Sequence, residues 1–422
     1  MMNKYLISFV SCLLVGAFGL SVNAAGYIDL GHATGEQCKT ESVTNNGIAV
    51  GNCSPASTSA NNVPFVANVN TPNSQARLEP LDPHQPCVAR AISNDGWIGG
   101  SCNDANSVDQ AVIWNAATPG AAPTVLTPLP STLLRAADVR TMITAFNQRG
   151  DMIGWSISNN DERSTVVWLA GTGTPVRVFS SLLGLLGYND KCIPTDVNTT
   201  LANGYPSIAL NCPGANGITV PRIAQRNASA YAVTSLPIAS GANRCTVSGI
   251  NNLMQSVGDC EYPQADINLN RTAVWNTPTA TPQTLTLAVD SKNAGLAINN
   301  TGVVLAARQD ATGRASYLTW LPTLGVFGIQ LIVPPTGAVW VQAFSIADNG
   351  IVALNSTDSD QYNTGCIWTP ATSGSPATNN CLASIGGGKK NQLTTLSQNG
   401  GYAGGVNVNG AQDLDAVATP LP

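Results

Sequence analysis

The sequence predicts an all-β fold: an eight-bladed β-propeller of four-stranded blades, with the N-terminal strand closing the last blade. Three observations carry that expectation. A short turn phrase recurs eight times along the chain, each copy has room for four short strands, and the two ends of the chain are complementary. The phrase runs apolar residue, two polar residues (commonly Asn-Asn), a variable residue, Gly, then an apolar stretch. Its copies lie at 43–47, 92–96, 146–150, 197–204 (with an insertion), 250–253, 298–302, 346–350 and 396–400. Their leading apolar residues are spaced by 49, 54, 51, 53, 48, 48 and 50 residues. A step this regular is the signature of a repeat architecture.

Each copy reads as a hairpin between strands a and b, since Asn-Gly and Asp-Gly favour the positive φ angles of two-residue turns. Strand b is short and apolar, as in 97–100 and 351–354. A polar loop leads to strand c, which carries a central tryptophan in Trp114, Trp168, Trp275, Trp320 and Trp368. The first, fourth and eighth units lack it; at one in each of the other five, these indoles are expected to pack between blades as core. Pro/Thr/Gly-containing links precede a fourth strand, d. Four strands in about 50 residues is the unit of a propeller blade. The units fall at about 37–82, 86–130, 138–185, 191–238, 244–290, 292–334, 339–386 and 390–422. The last stops after strand c. The segment 26–31 resembles the missing strand, and pairing it there closes the ring and removes open sheet edges.

Residues 1–25 read as a signal peptide. Lys4 supplies a positive start, 5–20 an apolar core, and Val22-Asn23-Ala24 small residues for cleavage after Ala24 or Ala25. The remaining residues, 26–422, form a single domain, expected to be secreted or periplasmic, without membrane insertion and monomeric. Charged residues make up 10% and hydrophobic residues 43% of the chain, a balance that supports a buried core. Net charge is −5, and no basic run exceeds Lys389-Lys390, which argues against nucleic acid or an anionic membrane as partner.

Outside the leader's Cys12 there are ten cysteines. Cys38 and Cys53, Cys87 and Cys102, and Cys245 and Cys260 are each 15 apart, and Cys192 and Cys212 are 20 apart across the inserted hairpin. In each pair the first cysteine precedes strand a and the second ends strand b, where antiparallel neighbours come within disulfide range. Cys366 and Cys381 repeat the 15-residue spacing between strands c and d. Neither the close pairs of zinc sites nor a redox C-x-x-C occurs, so these ten are read as five structural disulfides and no metal site is expected.

The Ile-Asn-Asn-x-Gly turn with its later Ala-Val-x-Trp strand resembles the bacterial HAF-family extracellular repeats. Residues 298–304 and 273–275 match most closely, although Val replaces the family's Phe in the latter strand. The resemblance implies an exported, propeller-like repeat. It carries no catalytic residues to this chain.

No catalytic constellation emerges. The two histidines, His32 and His84, lie in connections between blades with no partner evident in sequence to orient a base. The b–c loops vary most between copies, and variable loops on a repeated scaffold are where binding is built. Their candidates are Asp104, Asp109, Asp161, Asp266, Asp310, Asp358, Asp360, Tyr362 and Asp413. Such side chains suit glycan hydroxyls, or a calcium ion held weakly by oxygen ligands; no other cofactor is expected. The functional expectation is a secreted, non-catalytic module presenting a loop face to a glycan or protein partner. The alternative is an extracellular polysaccharide hydrolase or lyase with paired carboxylates at the propeller mouth.

Overall fold

The computed structural model describes residues 26–55, 62–132, 135–179, 190–214, 217–263, 269–287, 292–309, 313–411 and 413–421. The leader 1–25 and the loop residues Asp266 and Asp310 lie outside them. The chain forms eight four-stranded antiparallel sheets arranged as the blades of a propeller. The blades span 36–77, 87–125, 140–177, 193–235, 244–284, 292–332, 338–381 and 390–420. Blade 8 draws its outer strand from the other end of the chain: Ile28–Asp29 pairs antiparallel with Leu414–Pro420, Ile28 opposite Ala418. The expected closure is therefore present.

The core is a series of apolar layers between consecutive blades. The strand-c tryptophans lie in these layers, at most 4% exposed. Three of their indole N–H groups reach back to the preceding blade, Trp114 to Glu79 O (2.7 Å), Trp168 to Thr127 O (3.1 Å) and Trp275 to Pro237 O (2.8 Å). Burying an indole requires such an acceptor, so one side chain both fills the layer and fixes the exit of the neighbouring strand d.

Five disulfides join Cys38–Cys53, Cys87–Cys102, Cys192–Cys212, Cys245–Cys260 and Cys366–Cys381. Cys38 stands directly opposite Cys53 in the a–b ladder, and Cys366 opposite Cys381 in the c–d ladder. Among the described residues no helix is long and apolar enough to cross a membrane.

The a–b hairpins depart from the two-residue turn that Asn-Gly suggests. In blade 1 the Gly47 N–H bonds Thr44 O and the Thr44 N–H bonds Ile48 O, with only Gly47 at positive φ (75°). This is a three-residue loop, a type I turn followed by a left-handed residue. Blades 2, 3, 6 and 7 repeat it with Gly, and blade 5 with Met254 at φ 64°. Only the lengthened hairpin of blade 4 makes the two-residue form, with Asn203 and Gly204 both at positive φ.

A β-bulge interrupts strand a of every blade, at Glu41, Arg90, Thr144, Thr195, Ser248, Leu296, Phe344 and Thr394. The extra residue leaves a strand-b carbonyl without its ladder partner. Hydroxyls at the bulge take it up: Thr144 donates to Ile153 O (3.3 Å), Ser248 to Val257 O (3.2 Å) and Thr394 to Gly404 O (3.2 Å). Strand b crowds the bulge closely. At Gly154 a Cβ would fall 1.8 Å from Met142 O, which explains the glycine there.

The turn asparagines lace the blades together. In blade 6, Asn299 Oδ1 accepts from Thr301 N and Val303 N of its own turn, while its Nδ2 donates to Ala347 O of blade 7 at 2.8 Å. The next residue, Asn300, accepts from Asn252 N of blade 5 (2.9 Å) and its own N–H donates to Asp348 of blade 7 (2.9 Å). Equivalent bonds run right round: Asn45 N to Asn94, Asn94 N to Gln148 O, Asn147 Nδ2 to Asn198 O, Thr199 N to Asn252, Asp348 N to Gln398 O, and Asn399 N to Asn45. The double asparagine thus has two jobs, closing its own turn and linking blade to blade.

Candidate functional site

The b–c and d–a connections emerge on the face opposite these turns. On that face the strand-b residue that faces the position three before the strand-a bulge separates the blades by chemistry. In blades 1, 2, 4 and 5 it is the disulfide partner Cys53, Cys102, Cys212 or Cys260. Blades 3, 7 and 8 place a hydrogen-bonded polar residue there. Ser156 donates to Asp138 (2.6 Å), Ser356 to Thr364 O (3.4 Å), and Asn407 to Ile385 O (3.2 Å). Blade 6 alone has an arginine, Arg308, opposite Asn293 in the ladder. Its Nε is enclosed with no hydrogen-bond partner.

Arg308 lines a cleft of about 500 Å³ between blades 6 and 7. Strand c contributes Ser316 and Tyr317, and Arg314 precedes that strand. Strand d and its exit contribute Leu331 to Pro334, and the opening of the next strand a contributes Ala338 to Val341. The side chains of Leu331, Val333, Val339 and Trp340 are 48–64% exposed. Burial raises the pKa of the Tyr317 phenol, so it stays a neutral donor. No carboxylate occurs among the described lining residues. The arrangement is an apolar trough with cationic and phenolic groups along one wall. It offers surface for an apolar ligand and donors for an anion.

The described residues singled out in the sequence are spread over several blades and do not meet in this cleft. Asp104 accepts from Asn106 N and Val108 N of its own loop, and Asp358 accepts from Asp360 N and Tyr362 N in the same way. Their carboxylates close loops. Asp161 is ion-paired with Arg140 and lines a separate cavity of about 280 Å³ with Trp155, Arg163 and Lys191. Asp109 and Asp360 are exposed. The Lys389 and Lys390 ammonium groups stand 5.8 and 5.5 Å from the Tyr362 ring. The Asp413 N–H bonds Asn409 Oδ1. None of these readings exposed the cleft, whose signal in the sequence is an arginine where other units have cysteine.

Two features bear on catalysis. His32 lies 3.5 Å from the buried Asp415, a partner not evident in the sequence. Burial raises the pKa of Asp415, and the charge of His32 opposes that rise. His32 Nδ1 is enclosed without a hydrogen-bond partner, so the pair ties a connection to blade 8 without presenting a base to solvent. On the turn face, Asp196 and Asp348 line the axial mouth, about 220 Å³ in volume. Asp196 bonds Val197 N and Ile250 N, both at 2.8 Å, and burial pushes its pKa up to about 6. Both Asp348 oxygens bond Asn300. Both carboxylates are engaged in holding blades.

No protein-family model matches the chain, and no curated protein matches it significantly. Solved structures share its fold. The β-propeller domain of the Trilobed protease from Pyrococcus furiosus, described as having an open velcro topology, is 9% identical with a TM-score of 0.52, over 82% of this chain and 98% of that one. Prolyl oligopeptidase B from Galerina marginata aligns at 8% identity and TM-score 0.53. The alignment covers 82% of this chain and half of that enzyme. At such identities the likeness is one of fold.

Proposed function

We propose that the protein is an exported binding module that docks an extended, apolar segment of a protein partner in the cleft between blades 6 and 7. Five disulfides suit an oxidising compartment, and the turn phrase groups the chain with the HAF-like extracellular repeats it resembles. One observation carries the reading. Of the 14 exposed large hydrophobic residues among those described, seven fall within 324–340: Leu324, Val326, Phe327, Leu331, Val333, Val339 and Trp340. Four of them line the cleft. Concentrated apolar exposure on a folded surface marks an interaction site, and aliphatic walls favour peptide side chains over sugar hydroxyls.

The test is selection of phage-displayed random peptides on the immobilised protein, alongside a glycan array. Apolar peptides should enrich and should lose binding to Trp340→Ala and Val333→Asp. Enrichment of glycans alone, or peptide binding indifferent to both substitutions, overturns the reading.

A further inference from the structure

We infer that the blade 6–7 cleft recognises the C-terminal carboxylate of an apolar peptide, with Arg308 as the residue that reads it. The inference rests on the docking reading above and adds to it the chemistry of the occupant's end. Arg308 stands at a ladder position that the other seven blades satisfy internally, by disulfide in four and by hydrogen bonds of Ser156, Ser356 and Asn407 in three. Its own ladder partner, Asn293, is occupied elsewhere, accepting from Thr272 N at 2.6 Å and donating to Leu285 O. The enclosed Nε is left without an acceptor. The guanidinium lines the cleft, and a carboxylate there supplies a charge-assisted acceptor to its outer nitrogens.

The mixed lining of the cleft selects the source of the anion. Arg308 and the exposed Leu331, Val333, Val339 and Trp340 line the same cleft, so an apolar terminal residue brings its side chain and its carboxylate to both surfaces at once. A chain terminus can enter such a cleft tip first, leaving its apolar side chains against the apolar lining. An internal acidic side chain would require the peptide to run in and out again. Among the described lining residues no carboxylate opposes an incoming anion beside Arg308.

The experiment follows binding by isothermal titration calorimetry with three N-acetylated tripeptide pools built from Leu, Val and Phe. One pool carries free C-terminal acids, one the carboxamides, and one carboxamides with Glu at the middle position. The acids should bind about tenfold more tightly than the carboxamides, as one charge-assisted contact allows. Arg308→Met should reduce that ratio to about one. Because the acid-to-amide ratio is read on the unaltered protein, a folding defect in the variant does not void the test. Equal affinities for acid and carboxamide overturn the carboxylate assignment while the docking reading stands. Equal affinities for free acid and internal Glu overturn the terminal source. Absence of binding by all three pools overturns both.

Discussion

Asn299 shows how much one side chain of the repeat carries. Its oxygen caps two N–H groups of its own turn and its amide reaches blade 7. Asn299→Ala should therefore cost about 1–3 kcal/mol through orphaned backbone groups, read as a lower urea midpoint with unchanged m-value. Asp196 adds a pH dependence. Its folded pKa of about 6 lies above its ordinary 3.8, so the folded state holds the proton more tightly than the unfolded one. Its contribution to stability is thus largest in acid and falls as pH rises from about 4 to about 6, then levels off. Asp196→Asn should flatten that part of the stability profile in denaturant titrations at stepped pH. Absolute stability should also drop, because the amide nitrogen cannot accept from Val197 or Ile250. The turn itself was legible from Asn-Asn-x-Gly; the lacing was not, since its partners lie about 50 residues away and meet only once the ring forms.

At the scale of strands, the disulfides follow from local rules. A 15-residue spacing spanning one hairpin leaves the cysteines opposite each other, and the structure pairs them so. Replacing both Cys87 and Cys102 by Ser should lower stability by about 2–4 kcal/mol, the expectation for a loop of this length. The check is chemical denaturation beside the parent protein. The bulges escaped the sequence reading because residues as different as Glu41, Arg90 and Leu296 occupy the same extra position. What they share is the ladder geometry. The Asp-rich loops show a second use of the residues that the sequence offers for binding. Asp104 and Asp358 are residues that close a tight loop, and composition alone does not separate that use from ligand binding.

At the scale of the molecule, the eightfold repeat and the closure by Ile28–Asp29 could be read from period and from complementary ends. The cleft could not. It depends on a departure at Arg308 and on the exposure of Trp340 and its neighbours, which is a property of the assembled ring. Deleting residues 26–30 should leave strand Leu414–Pro420 as an unpaired edge and remove Tyr27, whose buried hydroxyl donates to Asn391. A lower melting temperature with concentration-dependent light scattering is the expected outcome.

The circuit of turn hydrogen bonds has a further electrical consequence. Every one of its links points the same way, each blade donating to the next, from Asn45 through Asn300 and back by Asn399. Dipoles aligned along a helix add to a charge at each end. Aligned head to tail around a closed loop they circulate and their vectors cancel. The lacing therefore gives the ring a handed sense of direction yet leaves no pole at its axis. Any ion drawn to that mouth would answer to side chains such as Asp196, and not to the backbone that holds the blades.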